Sequence, residues 1–366
     1  MVACARVAPM WPIDSSDAVC AWTRAGMESD CAAELVERAA AAGVGGWCRT
    51  AEGLVEFHPT PADRLPALAR ELSFRQLVFT RQWFARFAVC RGLPPDDRVA
   101  PLARAAAAIP RSVSAVRIEY PDTDSGRPLA RLARALARPL EAAIAKAPGI
   151  ASDGEGPILH CALLDGGTAL LGLSDPANSA PWPLGIPRLR AHRQAPSRSV
   201  MKLDEAIARF LNDDERAAWL RPGRTAVDLG AAPGGWTWLL RNYGVTVTAV
   251  DNGPLAGPLQ EDPRVEHRTE DGFRYRPRRP VDWLVCDMVE RPHRIARLLA
   301  EWLSRGDCRH AIVNLKLPMK QRWQTVARQL ETIAAALPGD GRLLANQLYH
   351  DREEITLFVT RAPLTR

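Results

Sequence analysis

Residues 225–236 read TAVDLGAAPGGW, a short apolar strand that runs into a glycine-rich turn and directly into a helix. Gly230, Gly234 and Gly235 have no Cβ atom, so the backbone can bend sharply and a ligand can approach it closely. The turn lacks the final Gly-Lys-Ser/Thr of a phosphate-binding loop, and its spacing differs from the G-x-G-x-x-G of dinucleotide-binding folds. It therefore predicts a nucleoside ligand without a pyrophosphate, a description that S-adenosylmethionine fits.

A carboxylate at the end of the following strand supports the same interpretation. The strand in VTVTAVDNG ends at Asp251, about 20 residues after Gly230, where doubly wound sheets place an acid on ribose hydroxyls. Glycines that close a strand–helix connection for packing alone are the alternative. The combination of strand, turn, helix, strand and terminal acid favours a ligand site.

The composition limits the class of protein. With 366 residues, 47% of them hydrophobic and 25% charged, the chain has a globular composition and is long enough for two or three cores. A net charge of +6 favours a polyanionic partner. The eight cysteines include no C-x-x-C pair, which predicts reduced thiols and no metal site. No apolar run reaches the ~18 residues of a membrane span, so we expect a cytoplasmic protein without membrane contact.

Four regions are predicted along the chain. The first shows no periodicity and is interpreted as an N-terminal extension without an assigned structure. The second and third alternate helices with strands and predict two small modules, the third region ending in a linker rich in proline and glycine. The fourth begins where regular α/β alternation starts. In order, the regions are 1–26, 27–92, 93–194 and 195–366.

The last region predicts an α/β domain. Its strands alternate with helical segments, which indicates a parallel sheet, except that the final two strands are joined by a short polar turn and predict an antiparallel hairpin at the edge. This is the architecture of Rossmann-like class I S-adenosylmethionine-dependent methyltransferases. The predicted strands are TAVDL, VTVTAV, DWLVCD, HAIVNLKL, RLLANQLY and ITLFVT.

Polar residues follow these strands at the edge where open α/β sheets bind ligands. They include Asp251, Asp271, Asp287 and Lys316. A solvated strand end is the alternative for each one alone. For Asp287 and Lys316 together a site is favoured, because DWLVCD and HAIVNLKL are predicted to be neighbouring central strands.

Two further charged residues are candidates for the same place. Lys202 lies in the helix before the first strand, and Glu354 lies at the start of the last strand. Their alternatives are a solvated helix lysine and a surface charge on an edge strand. Lys202 would supply a cation that, together with desolvation, lowers the pKa of Lys316 from its ordinary value near 10.4.

The order of these motifs resembles the bacterial 23S rRNA 2′-O-ribose methyltransferase M family, from about Met27 to the end of the chain. FtsJ-like methyltransferases are similar in the catalytic half only and share a Lys-Asp-Lys-Glu tetrad, which corresponds here to Lys202, Asp287, Lys316 and Glu354. The motifs are APSRSxxKL, DLGAxPGGW, VDNGP, EDGF, CDMVE, NLKLPMK and LYHDREE.

The resemblance implies a ferredoxin-like module and a THUMP RNA-binding domain before the methyltransferase domain. It also implies a cytidine of 23S ribosomal RNA as the substrate, in naked or early precursor RNA, and we expect a monomer. Ala232 departs from the family pattern, since some relatives carry Cys there, and a backbone contact tolerates this change. The implied contacts with S-adenosylmethionine are Ser199, Ala232, Pro233, Gly234, Gly235, Asp251, Asp271 and Asp287.

The predicted reaction is in-line transfer of a methyl group to a ribose 2′-hydroxyl, with Lys316 as the general base. Lys202 would disfavour the protonated form of Lys316, and Asp287 and Glu354 would orient the two amines. A nicotinamide oxidoreductase is a rival by fold, but the glycine spacing does not match its template. A non-catalytic rRNA-binding assembly factor with a residual cofactor pocket is the alternative from another class.

Three sets of basic residues are candidates for RNA contact. One is the stretch 188–202, which contains no acid between Arg188 and Lys202. The second is Arg274, Arg276, Arg278 and Arg279. The third shares one face of a long predicted helix, and a solvated helix face is its alternative. That third set is Arg127, Arg131, Arg134 and Arg138.

Overall fold

The computed structural model describes residues 16–107, 109, 113–146 and 156–361. The chain divides into two compact units, Met1–Ile186 and Pro187–Arg366. No helix in the described ranges is long and apolar enough to cross a membrane.

The first unit is built on one seven-stranded sheet with the strand order β2-β3-β1-β4-β7-β6-β5. Four of these strands and two helices follow the order β1-α1-β2-β3-α2-β4 of a ferredoxin-like module, with β1 antiparallel to both β3 and β4. The elements are β1 Ala18–Trp22, α1 Glu28–Ala41, β2 Gly45–Ala51, β3 Leu54–Thr60, α2 Leu65–Glu71, β4 Gln82–Cys90, α3 Val99–Ala106, β5 Ala115–Glu119, α4 Leu129–Ala145, β6 Ile158–Leu163 and β7 Ala169–Ser174.

The first unit differs from the regions drawn on the sequence. Residues 1–26 are interpreted there as an N-terminal extension without an assigned structure, but residues 18–22 form a central strand of the sheet; residues 1–15 lie outside the described part of the chain. The strand AVCAW shows no apolar–polar alternation because all five of its residues are buried. The two predicted modules share one continuous sheet, in which β4 of the first pairs with β7 of the second.

The second unit has the predicted α/β alternation. Two helices precede the first strand. Three longer helices and one four-residue helix connect successive strands. The elements are α5 Val200–Phe210, α6 Asp213–Trp219, β8 Thr225–Leu229, α7 Gly235–Asn242, β9 Thr246–Val250, α8 Gly257–Gln260, β10 Val265–Arg268, β11 Val281–Cys286, α9 Pro292–Arg305, β12 Cys308–Lys316, α10 Arg322–Ala334, β13 Arg342–Asn346 and β14 Glu354–Thr360.

The sheet of this unit has the order β10-β9-β8-β11-β12-β14-β13 and confirms the Rossmann-like prediction. Its first five strands are parallel to one another, and β14 is antiparallel to both neighbours. The predicted adjacency of β11 and β12 is confirmed. The predicted antiparallel hairpin of the last two strands at the edge is also confirmed; the reversed strand β14 lies between β12 and β13, and β13 is outermost. Strand β10 was missed because it has four residues, VEHR, and no apolar run.

The core of this unit fixes the helix that carries Lys202. Val200, Leu203, Ile207 and Phe210 form the buried side of α5, as the periodicity predicted. They belong to one apolar cluster with Trp236 and other residues of α7 and the central strands. The position of α5 over the sheet is therefore set by the burial of its apolar face.

One buried histidine makes the stability of this unit sensitive to acid. His310 on β12 is 2% exposed, stacks on Trp219 at 4.2 Å between ring centroids, and shares a 2.8 Å hydrogen bond with Thr360. Burial lowers its pKa to about 3. An unfolded chain binds a proton at this residue below about pH 6.5, whereas the folded chain does not. The stability that comes from burying neutral His310 is therefore fully present above about pH 6.5, and it is lost as the pH falls from there toward the folded-state pKa of about 3.

We predict that His310→Gln reduces the acid sensitivity of folding. Between pH 7.5 and pH 5.5 the wild-type chain should lose about 1.4 kcal/mol more of its free energy of unfolding than the variant. Urea denaturation at both pH values measures this difference. His293→Gln, at an exposed histidine, is the control and should behave like wild type. Equal losses in wild type and His310→Gln would contradict the prediction.

Candidate active site

The structure brings together the side chains of Lys202, Asp287, Lys316 and Glu354. Lys202 projects from the first turn of α5, and Asp287 follows the last residue of β11. Lys316 is the last residue of β12 and is the register partner of Glu354, the first residue of β14. The cluster thus depends on three adjacent strand ends and one helix.

Each amine of the cluster contacts both carboxylates. Lys202 Nζ lies 3.2 Å from Asp287 Oδ2 and 2.5 Å from Glu354 Oε1. Lys316 Nζ contacts Glu354 Oε2 and lies 3.8 Å from Asp287 Oδ1. The Glu354 side chain is 4% exposed and that of Lys316 is 26% exposed. The fully ionised cluster therefore carries no net charge, and Lys316 is its most accessible member.

The surroundings lower the pKa of the Lys316 amine. Burial is the largest cause, and the positive charge of Lys202 acts in the same direction, while the Asp287 carboxylate opposes both. The neutral amine is therefore more populated than in a free lysine at the same pH. A neutral amine beside a solvent-accessible cleft can accept a proton.

The glycine-rich turn leaves no room for side chains at three positions. Gly230 has φ +78° and a Cβ there would lie 2.6 Å from Met288 Cγ; Gly234 has φ +110° and a Cβ would lie 2.3 Å from Leu259 Cδ1. At Gly235 a Cβ would meet the hydroxyls of Ser197 and Ser199 at 2.4 and 2.7 Å. The turn therefore requires glycine for the sharp bend that the sequence predicts and also for close packing against neighbouring side chains.

The other predicted contact residues lie around this turn. Asp251 follows β9, and its carboxylate accepts hydrogen bonds from the backbone N–H groups of Ala232 at 3.0 Å and Gly253 at 2.7 Å. The carbonyl of Pro233 accepts from the N–H of Ala256, and the carbonyl of Ser199 accepts from the indole N–H of Trp236 at 2.9 Å.

Asp271 lies farther along the same edge, after β10. Its carboxylate accepts from the N–H of Phe273 at 2.9 Å. Asp251 and Asp271 thus follow neighbouring strands, whereas Asp287 belongs to the lysine cluster.

The sequence patterns did not single out two residues that contact these groups. Met288 packs its side chain against Gly230 and Gly272. Asn314, in the buried part of β12, donates from Nδ2 to Asp287 Oδ1 at 2.8 Å. The sequence does carry a signal for Asn314, because it is a polar residue within the apolar run HAIVNLKL.

A cleft of about 1110 Å³ opens beside the cluster. Lys202, Lys316 and Glu354 line it, together with most residues between Leu189 and Met201. Exposed arginines Arg193, Arg198 and Arg352 also line it. Within the described ranges, no group of three His, Cys, Asp or Glu side chains is arranged to hold a metal ion.

Three family models match the chain. The RlmM ferredoxin-like domain matches residues 17–84, and the N-terminal part of ribosomal RNA large subunit methyltransferase M matches residues 97–175. The FtsJ-like methyltransferase matches residues 195–333, which include the glycine-rich turn, Asp287 and Lys316.

Relatives extend this similarity over most of the chain. A ribosomal RNA large subunit methyltransferase M from Alkalilimnicola ehrlichii is 49% identical, covering 92% of this chain and 93% of that protein. A protein of the same name from Xanthomonas oryzae pv. oryzae is 47% identical, covering 93% and 98%. The structure of TrmN from Thermus thermophilus matches at 18% identity with a TM-score of 0.34, covering 93% of this chain and 98% of that one, a similarity too low to support an inference.

We predict that Gly234→Ala destabilises the second unit by roughly 1–3 kcal/mol, because alanine at φ +110° is strained and its Cβ meets Leu259. Urea denaturation followed by circular dichroism measures the change. Gly257→Ala is the matched control, since a Cβ there meets nothing within 4 Å. Equal stability of the two variants would contradict the account of the turn.

Proposed function

Because the chain belongs to the ribosomal RNA large subunit methyltransferase M family, we propose that it transfers the methyl group of S-adenosylmethionine to the ribose 2′-hydroxyl of a cytidine in 23S ribosomal RNA. Family membership supports an enzyme that methylates ribosomal RNA. The choice of a hydroxyl as acceptor rests on one observation, which is the contact of two lysines with two carboxylates at the end of β11, β12 and β14.

Lys316 is the proposed general base. A ribose hydroxyl becomes a competent nucleophile when its proton is drawn off in the transition state. The lowered pKa of Lys316 favours the neutral amine that can take this proton. The amine is also the most exposed group of the cluster and lines the cleft.

The other three residues would hold the Lys316 amine in place and set its pKa. The positive charge of Lys202 disfavours protonation of Lys316, and Lys202 is itself held by both carboxylates. Glu354 contacts both amines and Asp287 lies within 4 Å of both. When Lys316 takes up the substrate proton, these carboxylates stabilise the ammonium ion that forms.

The residues around the glycine-rich turn fit S-adenosylmethionine, which when bound supplies the electrophilic methyl group on its sulfonium. Gly234 and Gly235 give the turn its bend and let it pack against Leu259, Ser197 and Ser199, where a Cβ would collide. We propose that Asp251 binds the ribose hydroxyls and that Asp271 is a further contact of the cofactor. The remaining proposed contacts are Ser199, Ala232, Pro233 and Asp287.

The cleft beside Lys316 is the proposed path of the RNA backbone. Arg193, Arg198 and Arg352 line it and are exposed. In the set at residues 274–279, Arg276 pairs with Glu301 at 2.9 Å, whereas Arg274, Arg278 and Arg279 are exposed.

The first unit is proposed to contribute to RNA binding. Arg131, Arg134 and Arg138 are exposed along α4, which supports contact with RNA there. Residues 27–92, extended at the N-terminal side to include β1, are proposed as the ferredoxin-like module, and residues 93–194 as a THUMP-like RNA-binding domain. We further propose naked or early precursor RNA as the substrate, a monomer as the active form, and the cytoplasm as its location.

We predict that Lys316→Ala reduces single-turnover methylation at least about 100-fold, because general acid–base groups contribute 10²–10⁴-fold to rates. The affinity for S-adenosylmethionine should stay within about twofold, since removal of the amine leaves the turn intact. Mass spectrometry of the digested RNA, with identification of 2′-O-methylcytidine, measures the reaction; isothermal titration calorimetry measures the affinity.

Lys320→Ala is the matched control, since Lys320 is exposed in the loop that follows β12, four residues after Lys316. At saturating RNA it should retain the wild-type rate. Full activity of Lys316→Ala would remove Lys316 from the reaction. Absence of any methylated ribose with the wild-type enzyme would instead favour the non-catalytic assembly factor.

We predict that Arg193→Ala combined with Arg198→Ala weakens RNA binding and flattens its salt dependence. Each lost phosphate contact should reduce the slope of log K against log salt by about 0.7–0.9. Fluorescence anisotropy with a labelled 23S fragment over a range of KCl concentrations measures the slope. Arg328→Ala, at an exposed arginine on α10, is the control. A slope equal to that of wild type would contradict the proposed path.

A further inference from the structure

A chain of buried polar side chains leads away from the lysine cluster into the core of the sheet. Asn314 on β12 donates from Nδ2 to Asp287 Oδ1 at 2.8 Å, and its Oδ1 accepts from the Thr356 hydroxyl on β14, also at 2.8 Å. Asn314 and Thr356 are both fully buried and are register partners in the sheet. The Asp287 carboxylate accepts only, so this order of contacts fixes the orientation of the Asn314 amide.

Asp351 closes the chain. Its two carboxyl oxygens lie 3.2 and 3.1 Å from Thr356 Oγ1, and Oδ2 accepts from the N–H of Leu348 at 3.0 Å. A hydroxyl has a single proton to donate. If Thr356 donates that proton to Asn314, Asp351 must donate to Thr356 and must therefore be a neutral acid. Burial raises the pKa of Asp351 to about 8, in agreement with a protonated carboxyl at neutral pH.

The hydrogen bonds then run in one direction, from Asp351 to Thr356, from Thr356 to Asn314, and from Asn314 to Asp287. Each buried donor in this sequence has an acceptor, which is the condition for a stable polar network in a core. Its last bond holds one oxygen of the same carboxylate that contacts Lys202 at 3.2 Å and lies 3.8 Å from Lys316.

We propose that Asn314, held by Thr356 and Asp351, is a positioning residue that fixes the Asp287 carboxylate between the two lysines. The inference rests on the proposed methyl transfer. Asp287 raises the pKa of Lys316 while burial and Lys202 lower it, so the protonation of the amine depends on where this carboxylate points. A rotated Asp287 would also release one contact of Lys202. Loss of the network should therefore lower the rate of the chemical step and leave substrate binding intact.

The test compares three variants on β14. Thr356→Val removes the hydroxyl and keeps the side-chain volume, whereas Thr356→Ser keeps the hydroxyl. Thr360→Val is the matched control. It removes another buried hydroxyl from β14, four residues after Thr356, and this hydroxyl contacts His310 on β12 instead of Asn314. Each variant is assayed for single-turnover methylation, for affinity toward S-adenosylmethionine and the RNA fragment, and for its urea midpoint.

We expect Thr356→Val to lose about 10–100-fold in rate, as misplacement of a supporting group by about 1 Å does elsewhere, with both affinities within about twofold. Thr356→Ser should recover most of the rate. Thr360→Val should lower the urea midpoint as Thr356→Val does but keep the wild-type rate.

A wild-type rate in Thr356→Val, or an equal loss in Thr360→Val, would overturn the inference while leaving the proposed function standing. Failure of the wild-type enzyme to methylate would instead refute the proposed function. If Thr356→Val does not fold, Asp351→Asn provides the second test, since an amide keeps a donor toward Thr356. That variant should retain the rate, and a loss of tenfold or more in a folded protein would contradict the inferred direction of the bonds.

Discussion

The contact of two lysines with the same two carboxylates is the interaction on which the proposed chemistry depends. Asp287 and Glu354 neutralise the two ammonium groups, so four charges can lie together in a partly buried place. A lone Lys316 in that environment would be costly in its charged form, and a lone carboxylate would be equally unfavourable. The carboxylates therefore allow both amines to lie at this sheet edge, while burial and Lys202 lower the pKa of Lys316 against the opposing effect of Asp287.

The topology of the sheet makes this contact possible. Strand β14 runs against its neighbours, so its first residue lies beside the last residue of β12. A parallel strand in the same place would put its carboxyl end there, and Glu354 would lie at the opposite edge. The insertion of β14 between β12 and β13 thus explains how a residue near the end of the chain reaches a site formed mainly by earlier strands.

Much of this arrangement could be predicted from sequence, for identifiable reasons. The α/β alternation, the adjacency of β11 and β12 and the buried face of α5 all follow from regular apolar patterns. Lys202 and Glu354, each taken alone, have the pattern of ordinary surface charges. Only the resemblance of the whole motif order to a known family indicated that they belong to the site. Strand β1, the place of β14 and the Asn314 network depend on pairing between distant segments, which local patterns do not encode.

The pH dependence of single-turnover methylation tests the central claim most directly. If neutral Lys316 is the base, the rate should rise with pH to an inflection below the ordinary lysine value near 10.4. In Lys202→Met the inflection should move to higher pH, because a neighbouring positive charge is removed, whereas Lys320→Met should leave it in place. A rate independent of pH between about 6 and 10, or an inflection that does not move in Lys202→Met, would contradict the account.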